Sequence, residues 1–374
     1  TFLTETEQMK DKLKNICSLF QIYGDYVSGI PFGTGHINDT YQITYNQGGT
    51  LLHYTLQRLN TNVFRRPLEL MENVSRVTQH IHNKIELEGA SENSRHTLQL
   101  VLSHYGKPYV FGPDGYMWRC YLFIEKARTY DVLETTDMAY QAAKAFGGFQ
   151  QDLVDLPGKR LFEVIPDFHN TPSRIAALKK AAEEDIMGRR KYVEREIDFI
   201  LSREDDAGLL IALNKSGDIP ERITHNDTKL NNVLLDDTTM DGVCVIDIDT
   251  VMPGLVHYDF GDMVRTGTSP AAEDEQDLSK VYMRFEMFEA LLRGYLSSAA
   301  CFLNEAEREY LPFSGKLITM EIGTRFLTDY LMGDVYFKVH RDGHNLDRCR
   351  TQLKLVESIE SQMDRMKNLL KDIR

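Results

Sequence analysis

"THNDTKLNNVLLDDTTMDGVCVIDIDT", residues 224–250, is the stretch whose reading decides the fold of this chain. Two short β-rich runs, "NNVLLDD" and "GVCVID", flank "TTMDG", whose Asp241-Gly242 pair is a turn signal, so the stretch reads as a small hairpin. Its polar residues gather at the two ends. Asn232 and Asp247 are equidistant from the turn centre between Thr239 and Met240, and without a bulge the pairing sets them opposite each other. Cross-strand Cβ atoms stand roughly 4.5–5.5 Å apart, close enough for two oxygen-bearing side chains to share a cation. Magnesium favours such a hard oxygen site and completes its octahedron with waters and substrate phosphates. Asp227 lies on the loop entering the hairpin, where it can accept a proton from a substrate hydroxyl and aim that hydroxyl at a phosphate.

Outward from the hairpin, the period of the apolar residues changes. In "TYQITYNQGGTLLHYTLQRL" the residues alternate around Gly48-Gly49, the pattern of an antiparallel hairpin. "RPLELMENVSRVTQHIHNKI" places Leu70, Val74, Val77 and Ile81 three or four apart, one buried face of a helix. "LQLVLSHYGKPYVFGPDGYMWRCYLFIE" adds strands, with turn signals at Tyr105-Gly106 and Pro113-Asp114-Gly115. Beyond it, helical periodicity is expected over 137–153, 173–202, 277–303, 320–337 and 346–371. The expected class is therefore α+β, with two lobes: residues 1–124, a small β-rich lobe with one helix, and residues 125–374, a larger, mostly helical lobe. The connection falls in "YLFIEKAR", residues 121–128, which offers backbone hydrogen bonds to an adenine, with Glu125 as the candidate position.

Composition bounds the function. At 374 residues the chain exceeds what a single core usually reaches, roughly 250–300 residues. Hydrophobic residues at 42% and charged residues at 26% are ordinary for a globular protein, and no apolar run approaches the roughly 20 residues that cross a bilayer. The N-terminal "TFLTETEQMKDKLKN" mixes charge into every turn and lacks the apolar core of a secretion signal, so the expected compartment is the cytoplasm. Cys17, Cys120, Cys244, Cys301 and Cys349 stand singly and read as buried free thiols. A net charge of -13 argues against nucleic acid or an anionic membrane as a main partner, which leaves a small substrate or a metal. The oligomeric state is not legible.

The pattern H-x-D-x-x-x-x-N, here His225 to Asn232, followed by Asp247 on the next strand, resembles the catalytic loop and metal-binding aspartate of protein kinases and aminoglycoside phosphotransferases. Lys229 matches the lysine that neutralises the transferring phosphate in many protein kinases. "GIPFGTGHINDTYQI" contains Gly33 and Gly35 but has Asn38 where a dinucleotide fingerprint wants a third glycine, and a strand follows. Those glycines suit a flap whose backbone N–H groups approach the phosphates of ATP. One part departs from the resemblance. Where kinases place a strand-three lysine paired with a helix glutamate, this chain has Gln57, with Arg58 beside it. Neighbouring strand residues face opposite ways, so Arg58 replaces the lysine only if the register permits, with Glu69 or Glu72 as its partner.

A narrower resemblance runs in order along nearly the whole chain. "GTGHINDTY", "NVFRRPLELMENVSRVT", "THNDTKLNN", "VIDIDTVMPG", "DFGDMVR", "FLTDYLMGDVYF" and "HNLDRCRTQLKLV" resemble segments of the bacterial N-acetylhexosamine 1-kinases, which belong to the aminoglycoside phosphotransferase-like group. The resemblance implies a protein-kinase-like fold and transfer of the ATP γ-phosphate to the anomeric hydroxyl of N-acetylglucosamine or N-acetylgalactosamine, with magnesium. It implies Asp227 as base, Asp247 and Asn232 at the metal, and His36, Arg325 and Tyr336 around the sugar. It also implies that Asp259, in "HYDFGDMVR", braces the catalytic loop. Read from the residues alone, Tyr336 is a core residue and Arg325 a surface ion-pair partner.

"HRDGHN", residues 340–345, imitates a catalytic H-R-D, but Asp347 occupies the asparagine position and no metal-binding strand follows, so it reads as a decoy. The last helical segment, with Leu353, Val356 and Ile359, reads as a packing helix. Two alternatives stay open: a kinase of another small hydroxyl acceptor (an aminoglycoside, an amino alcohol or another sugar), and a non-catalytic nucleotide-binding pseudokinase motivated by Gln57.

Overall fold

The computed structural model describes residues 5–33, 37–87, 89 and 95–373. The chain forms two compact units, one of Thr1–Ala127, Asp155–Ile165 and Val243–Val251, the other of Arg128–Val154, Pro166–Gly242 and Met252–Arg374. The first division thus follows Ala127, and two later segments return to the first unit.

The first unit is built on an antiparallel sheet of β1 (Asp25–Pro31), β2 (Asp39–Gln47), β3 (Thr50–Arg58), β4 (Leu100–Val101), β5 (Val110–Phe111) and β6 (Met117–Leu122), in the order β1-β2-β3-β6-β4 with β5 also on β6. Gly48 and Gly49 both have positive φ, 62° and 96°, and Gln47 pairs with Thr50, so this is a two-residue hairpin that the two glycines make accessible. Helix α1 (Glu5–Cys17), which the sequence reading did not anticipate, covers one face of the sheet. Its Leu13, Ile16 and Cys17 share a buried cluster with Ile43, Leu56, Trp118 and Cys120. Helix α2 (Pro67–Leu87) buries Leu70, Met71, Val74, Val77 and Ile81, the face its spacing predicts. Polar bonds bring Asp155–Ile165 to it: the Asn73 amide donates to the Phe162 carbonyl at 2.8 Å and accepts from the Phe162 N–H at 3.0 Å. Arg76 donates to the carbonyls of Pro157 and Lys159.

The rest of the chain contributes short strands and most of the helices. The strands are β7 (Ala127–Arg128), β8 (Arg222–Thr224), β9 (Val233–Asp236), β10 (Gly242–Val245) and β11 (Met252–Gly254), of which β11 pairs β8. The helices are α3 (Thr136–Asp152), α4 (Thr171–Glu184), α5 (Glu194–Leu201), α6 (Glu204–Ala207), α7 (Leu209–Ser216), α8 (Val256–Gly267), α9 (Phe285–Ala299), α10 (Glu305–Glu309), α11 (Leu311–Met332) and α12 (His344–Asp372). The core of the second unit joins Leu178 of α4, Ile197 of α5, Leu317 and Leu327 of α11, and Cys349, Leu353 and Val356 of α12. The single helix expected over 173–202 is corrected to two. Asp185 closes α4 in the left-handed region at φ 38°, and Gly188 follows at φ 62°. The helix expected over 320–337 instead starts at Leu311 and stops at Gly333, a left-handed C-cap. Four of the five cysteines are buried and Cys301 is exposed, which corrects the expectation of five buried thiols. No described helix is long and apolar enough to cross a membrane.

Candidate active site

Within the second unit, Thr224 ends β8, and the chain then leaves regular structure under several anchors. The first is Asp259 of α8, whose carboxylate accepts from the backbone N–H of His225 at 2.9 Å and of Asn226 at 2.7 Å, and from the Gln150 amide at 2.6 Å. Tyr295 donates in turn to Gln150 at 2.5 Å. Burial pushes the Asp259 carboxyl above the usual range, although the charge of His225 and these N–H groups pull it down. The second anchor is Asp262, one turn on, which accepts from the Thr228 N–H at 2.9 Å and is itself held by Arg265 at 2.8 Å. The third comes from the segment entering α4 and from α11: His169 lies 3.3 Å from the Asn226 carbonyl through Nε2 and 2.8 Å from Glu321 through Nδ1, while Thr171 donates to Glu321 at 2.6 Å. Asn226 has a positive φ of 67°, a cost that a non-glycine residue bears only where surroundings enforce it.

Held in this way, the loop brings three of the expected residues together. Lys229 Nζ lies 3.2 Å from Asp227 Oδ2. The Asn232 amide donates to the Asp227 carbonyl at 2.7 Å and to its Oδ2 at 3.2 Å. Asn232 is buried in a 3₁₀ turn, Leu230–Asn232, whereas the Asp227 side chain is 26% exposed and Lys229 43%, so both can meet a small molecule. An accessible carboxylate with a cation and an amide beside it is suited to accept a hydroxyl proton and to keep that hydroxyl oriented. Because Asn232 turns its nitrogen toward Asp227, its carbonyl oxygen is the end a hard cation would take. The turn that follows is corrected in detail. Met240, at φ 63°, is its left-handed residue, and Asp236 accepts the N–H of Met240 at 3.0 Å. Gly242 serves another purpose: a Cβ there would stand 2.8 Å from the Gln141 carbonyl of α3.

Arg325 and Tyr336 are also together. The Arg325 guanidinium lies over the rings of Phe168, Tyr336 and Phe337 at 5.6, 5.6 and 5.3 Å, and donates to the Tyr336 hydroxyl at 3.4 Å. Tyr336 is 67% exposed, which corrects the reading of it as a core residue. Arg325 stands one turn beyond Glu321 on α11, and Phe168 precedes His169, so this aromatic wall adjoins the third anchor of the Asp227 loop. Arg174 of α4 joins the group, donating to the carbonyls of Asp167 and Phe168. Burial first, and then the Arg325 charge, push its pKa down, so two guanidiniums share this wall.

In the first unit, Asp247 adopts a left-handed backbone, φ 55° and ψ 51°, and opens the 3₁₀ turn Ile248–Thr250. The register of β2, β3 and β6 aligns Gln57 with Thr40 and Arg119, and Arg58 with Asp39 and Trp118. Arg58 therefore takes the α1 face of the sheet, ion-paired with Asp39 and stacked on Tyr116 at 4.6 Å, and the register that would let it stand in for Gln57 is not the one formed. Glu69 pairs with Arg66 at 3.0 Å. On the Gln57 face, Arg119 donates to the Gln57 side-chain oxygen Oε1 at 2.9 Å and forms an ion pair with Asp249, both members of that pair being almost wholly buried. Sequence reasoning missed Arg119, a single arginine inside the strand-like run "MWRCYLF". Gly33 has φ 81°, a conformation suited to glycine. Gly35 and His36 lie outside the described residues. Glu125 is exposed, 2.6 Å from His53, and its carbonyl accepts from Arg95 at 3.2 Å. In the decoy, Arg341 pairs with Asp347, and His344 and Arg341 with Asp274, an ion-pair cluster on the second unit.

A carboxylate placed to take a hydroxyl proton, with a lysine and an asparagine at kinase spacing, is the chemistry of a phosphotransferase. The description "Phosphotransferase enzyme family" belongs to the family model that matches residues 28–281, and the chain is a member of that family, whose enzymes are kinases of small molecules. Solved structures share its protein-kinase-like fold. An aminoglycoside phosphotransferase from Alicyclobacillus acidocaldarius is 12% identical, with TM-score 0.57 and 96% of each chain covered. A spectinomycin phosphotransferase in complex with ADP and spectinomycin is also 12% identical, with TM-score 0.57, covering 97% of this chain and 99% of its own. A choline kinase from Cryptosporidium parvum is 14% identical, with TM-score 0.52, covering 97% and 96%.

Proposed function

We propose that this enzyme transfers the γ-phosphate of ATP to the anomeric hydroxyl of an N-acetylhexosamine, giving the sugar 1-phosphate and ADP. The observation that carries the phosphotransfer is the Asp227–Lys229–Asn232 group, on a loop held by three anchors. Asp227 takes the proton from the anomeric hydroxyl. As it does so, the hydroxyl oxygen bonds to the γ-phosphorus and the bond to the β–γ bridging oxygen breaks, leaving ADP. Lys229 offsets charge on the phosphate in flight. Asn232 of the second unit and Asp247 of the first are each proposed as a residue that would hold magnesium, since each carries a hard oxygen donor. The donor chemistry fits: a carboxylate and an amide oxygen are the hard donors that magnesium takes. When bound, magnesium supplies charge neutralisation at the β- and γ-phosphates. Gly33, Gly35 and the backbone around Glu125 are proposed for the nucleotide, and His36, Arg325 and Tyr336 for the sugar.

Two features support a sugar over a cationic acceptor. One is the ordered resemblance of seven segments to N-acetylhexosamine 1-kinases. The other is the pair of guanidiniums, Arg325 and Arg174, on the aromatic wall adjoining the Asp227 loop. Like charge disfavours an ammonium group there, whereas hydroxyl and acetamido oxygens accept from both arginines. The test incubates the protein with Mg-ATP and a panel of N-acetylhexosamines, other sugars, choline, ethanolamine and aminoglycosides, then identifies products by mass spectrometry and NMR. A sugar 1-phosphate from the N-acetylhexosamines is expected. Turnover of a methyl glycoside as fast as of the free sugar places phosphate on another hydroxyl and ends the 1-kinase reading. Absence of any ATP turnover supports the pseudokinase alternative.

A further inference from the structure

The sheet of the first unit holds a cation for which neither the motif nor the family resemblance assigns a task. Arg119 on β6 is 1% exposed and uses its guanidinium in two directions. Its Nε donates to the Gln57 side-chain oxygen Oε1 on the neighbouring strand, and its Nη1 pairs with Asp249 Oδ1. The network continues from both partners. The Gln57 amide donates to Thr40 at 3.1 Å, and Asp249 Oδ2 accepts from the Asn38 amide at 2.6 Å. The Asn38 side-chain oxygen Oδ1 accepts from the Asn60 N–H at 3.0 Å. Burial works against the charge of Arg119, but Asp249, Tyr121 and Asp247 outweigh it and hold the guanidinium's pKa above its ordinary value. One buried cation therefore ties together β3, β6, Asn38 just before β2, and the turn that carries Asp247.

This arrangement accounts for glutamine at the position where kinases have a lysine. A residue at 57 in this register must accept the Arg119 N–H, and a lysine ammonium, which has three donors and no acceptor, would instead set two like charges side by side. The positive charge of this face stands on β6, paired with Asp249 in the turn that follows Asp247. We propose that Arg119 is a positioning residue for nucleotide-bound magnesium: through Asp249 it fixes the left-handed turn at Asp247, so that the Asp247 carboxylate is presented in a single orientation. The inference rests on the assignment of Asp247 to the metal made above. Groups that orient a metal ligand without touching the metal typically carry 10–100-fold in affinity or activity.

The experiment uses the full chain. ATP binding is measured by calorimetry across magnesium concentrations without acceptor, alongside kcat and KM for each substrate and thermal unfolding. Arg119→Met and Asp249→Asn are each expected to raise the magnesium midpoint about 10–100-fold, with the KM for sugar changed by less than about threefold. Arg119→Lys keeps the charge but loses the fork, and falls between them and wild type. Gln57→Lys, which restores the usual kinase pattern, is expected to raise the midpoint as well. A folded Arg119→Lys or Asp249→Asn variant with an unchanged midpoint overturns the proposal, as does a gain of affinity in Gln57→Lys. If Arg119→Met does not fold, these milder variants decide. Failure of the functional reading looks different: wild type then binds no ATP in a magnesium-dependent way, and Asp247→Ala changes nothing.

Discussion

Two acidic stretches do the work proposed for this enzyme, and they are held in opposite ways. The loop of Asp227 is fixed by three anchors on two helices: Asp259 and Asp262 of α8, and Glu321 of α11 through His169. The turn of Asp247 carries the buried Arg119–Asp249 ion pair with the amides around it, and the Asn73 amide donates to the Val251 carbonyl at its end at 3.1 Å. The comparison teaches that redundancy and burial trade against each other. Several hydrogen bonds to backbone N–H groups position a loop without any one being decisive, whereas a buried pair costs far more to break than it contributes when intact, because the remaining charge is stranded.

The largest effect should come from Asp227→Asn. It keeps the shape of the site and deletes the proton acceptor, so kcat should fall by about 10²- to 10⁴-fold while calorimetry finds the sugar bound within about tenfold of wild type. A variant retaining most of its kcat removes the base from Asp227 and leaves the loop as scaffolding. Lys229→Ala is expected to lower kcat by about 10²-fold at saturating substrates, the usual scale for one lost charge stabiliser; an effect confined to KM would make it a binding residue. Asp259→Ala tests the redundancy. It leaves two buried backbone N–H groups and an amide without their acceptor, at about 1–3 kcal/mol each, so unfolding in urea should show a loss of a few kcal/mol with the fold retained at low temperature. Unfolding of the whole second unit at ambient temperature would mean that the three anchors are not independent.

A smaller effect tests the third anchor through pH. Burial raises the Glu321 carboxyl, but the charge of His169, its hydrogen bond and that of Thr171 outweigh it, so the folded pKa lies below the ordinary glutamate value. A depressed carboxyl contributes stability that is complete above its unfolded pKa and is lost as pH falls through the folded one. The stability gap between wild type and Glu321→Gln should therefore narrow as pH drops below the ordinary glutamate range, measured by urea unfolding at successive pH values. A gap that stays constant or widens in acid contradicts the charged pair.

Much of this was legible in local patterns. Gly48-Gly49 announced its hairpin, Leu70 to Ile81 announced α2, and His225 to Asn232 announced the loop, because each is a relation between residues within one or two turns of chain. The break after α4 was missed because the helical period continues past it while Asp185 and Gly188 turn left-handed. Arg58 looked as eligible as Gln57, since adjacent strand residues differ only in the face they take and the register is set by two other strands.

By itself, then, the sequence determined the α+β class, the spacing of Asp227, Lys229 and Asn232, and the absence of a lysine at position 57, all of which are properties of the chain read in order. Only the tertiary structure decided what holds those residues. Arg119 meets an aspartate 130 positions later, and His169 meets Glu321 from 152 positions away. Nothing in either pair's immediate neighbours encodes the partner. A charge can be buried only where its counter-charge is already waiting, and that coincidence exists only once the sheet register and the helix packing have formed.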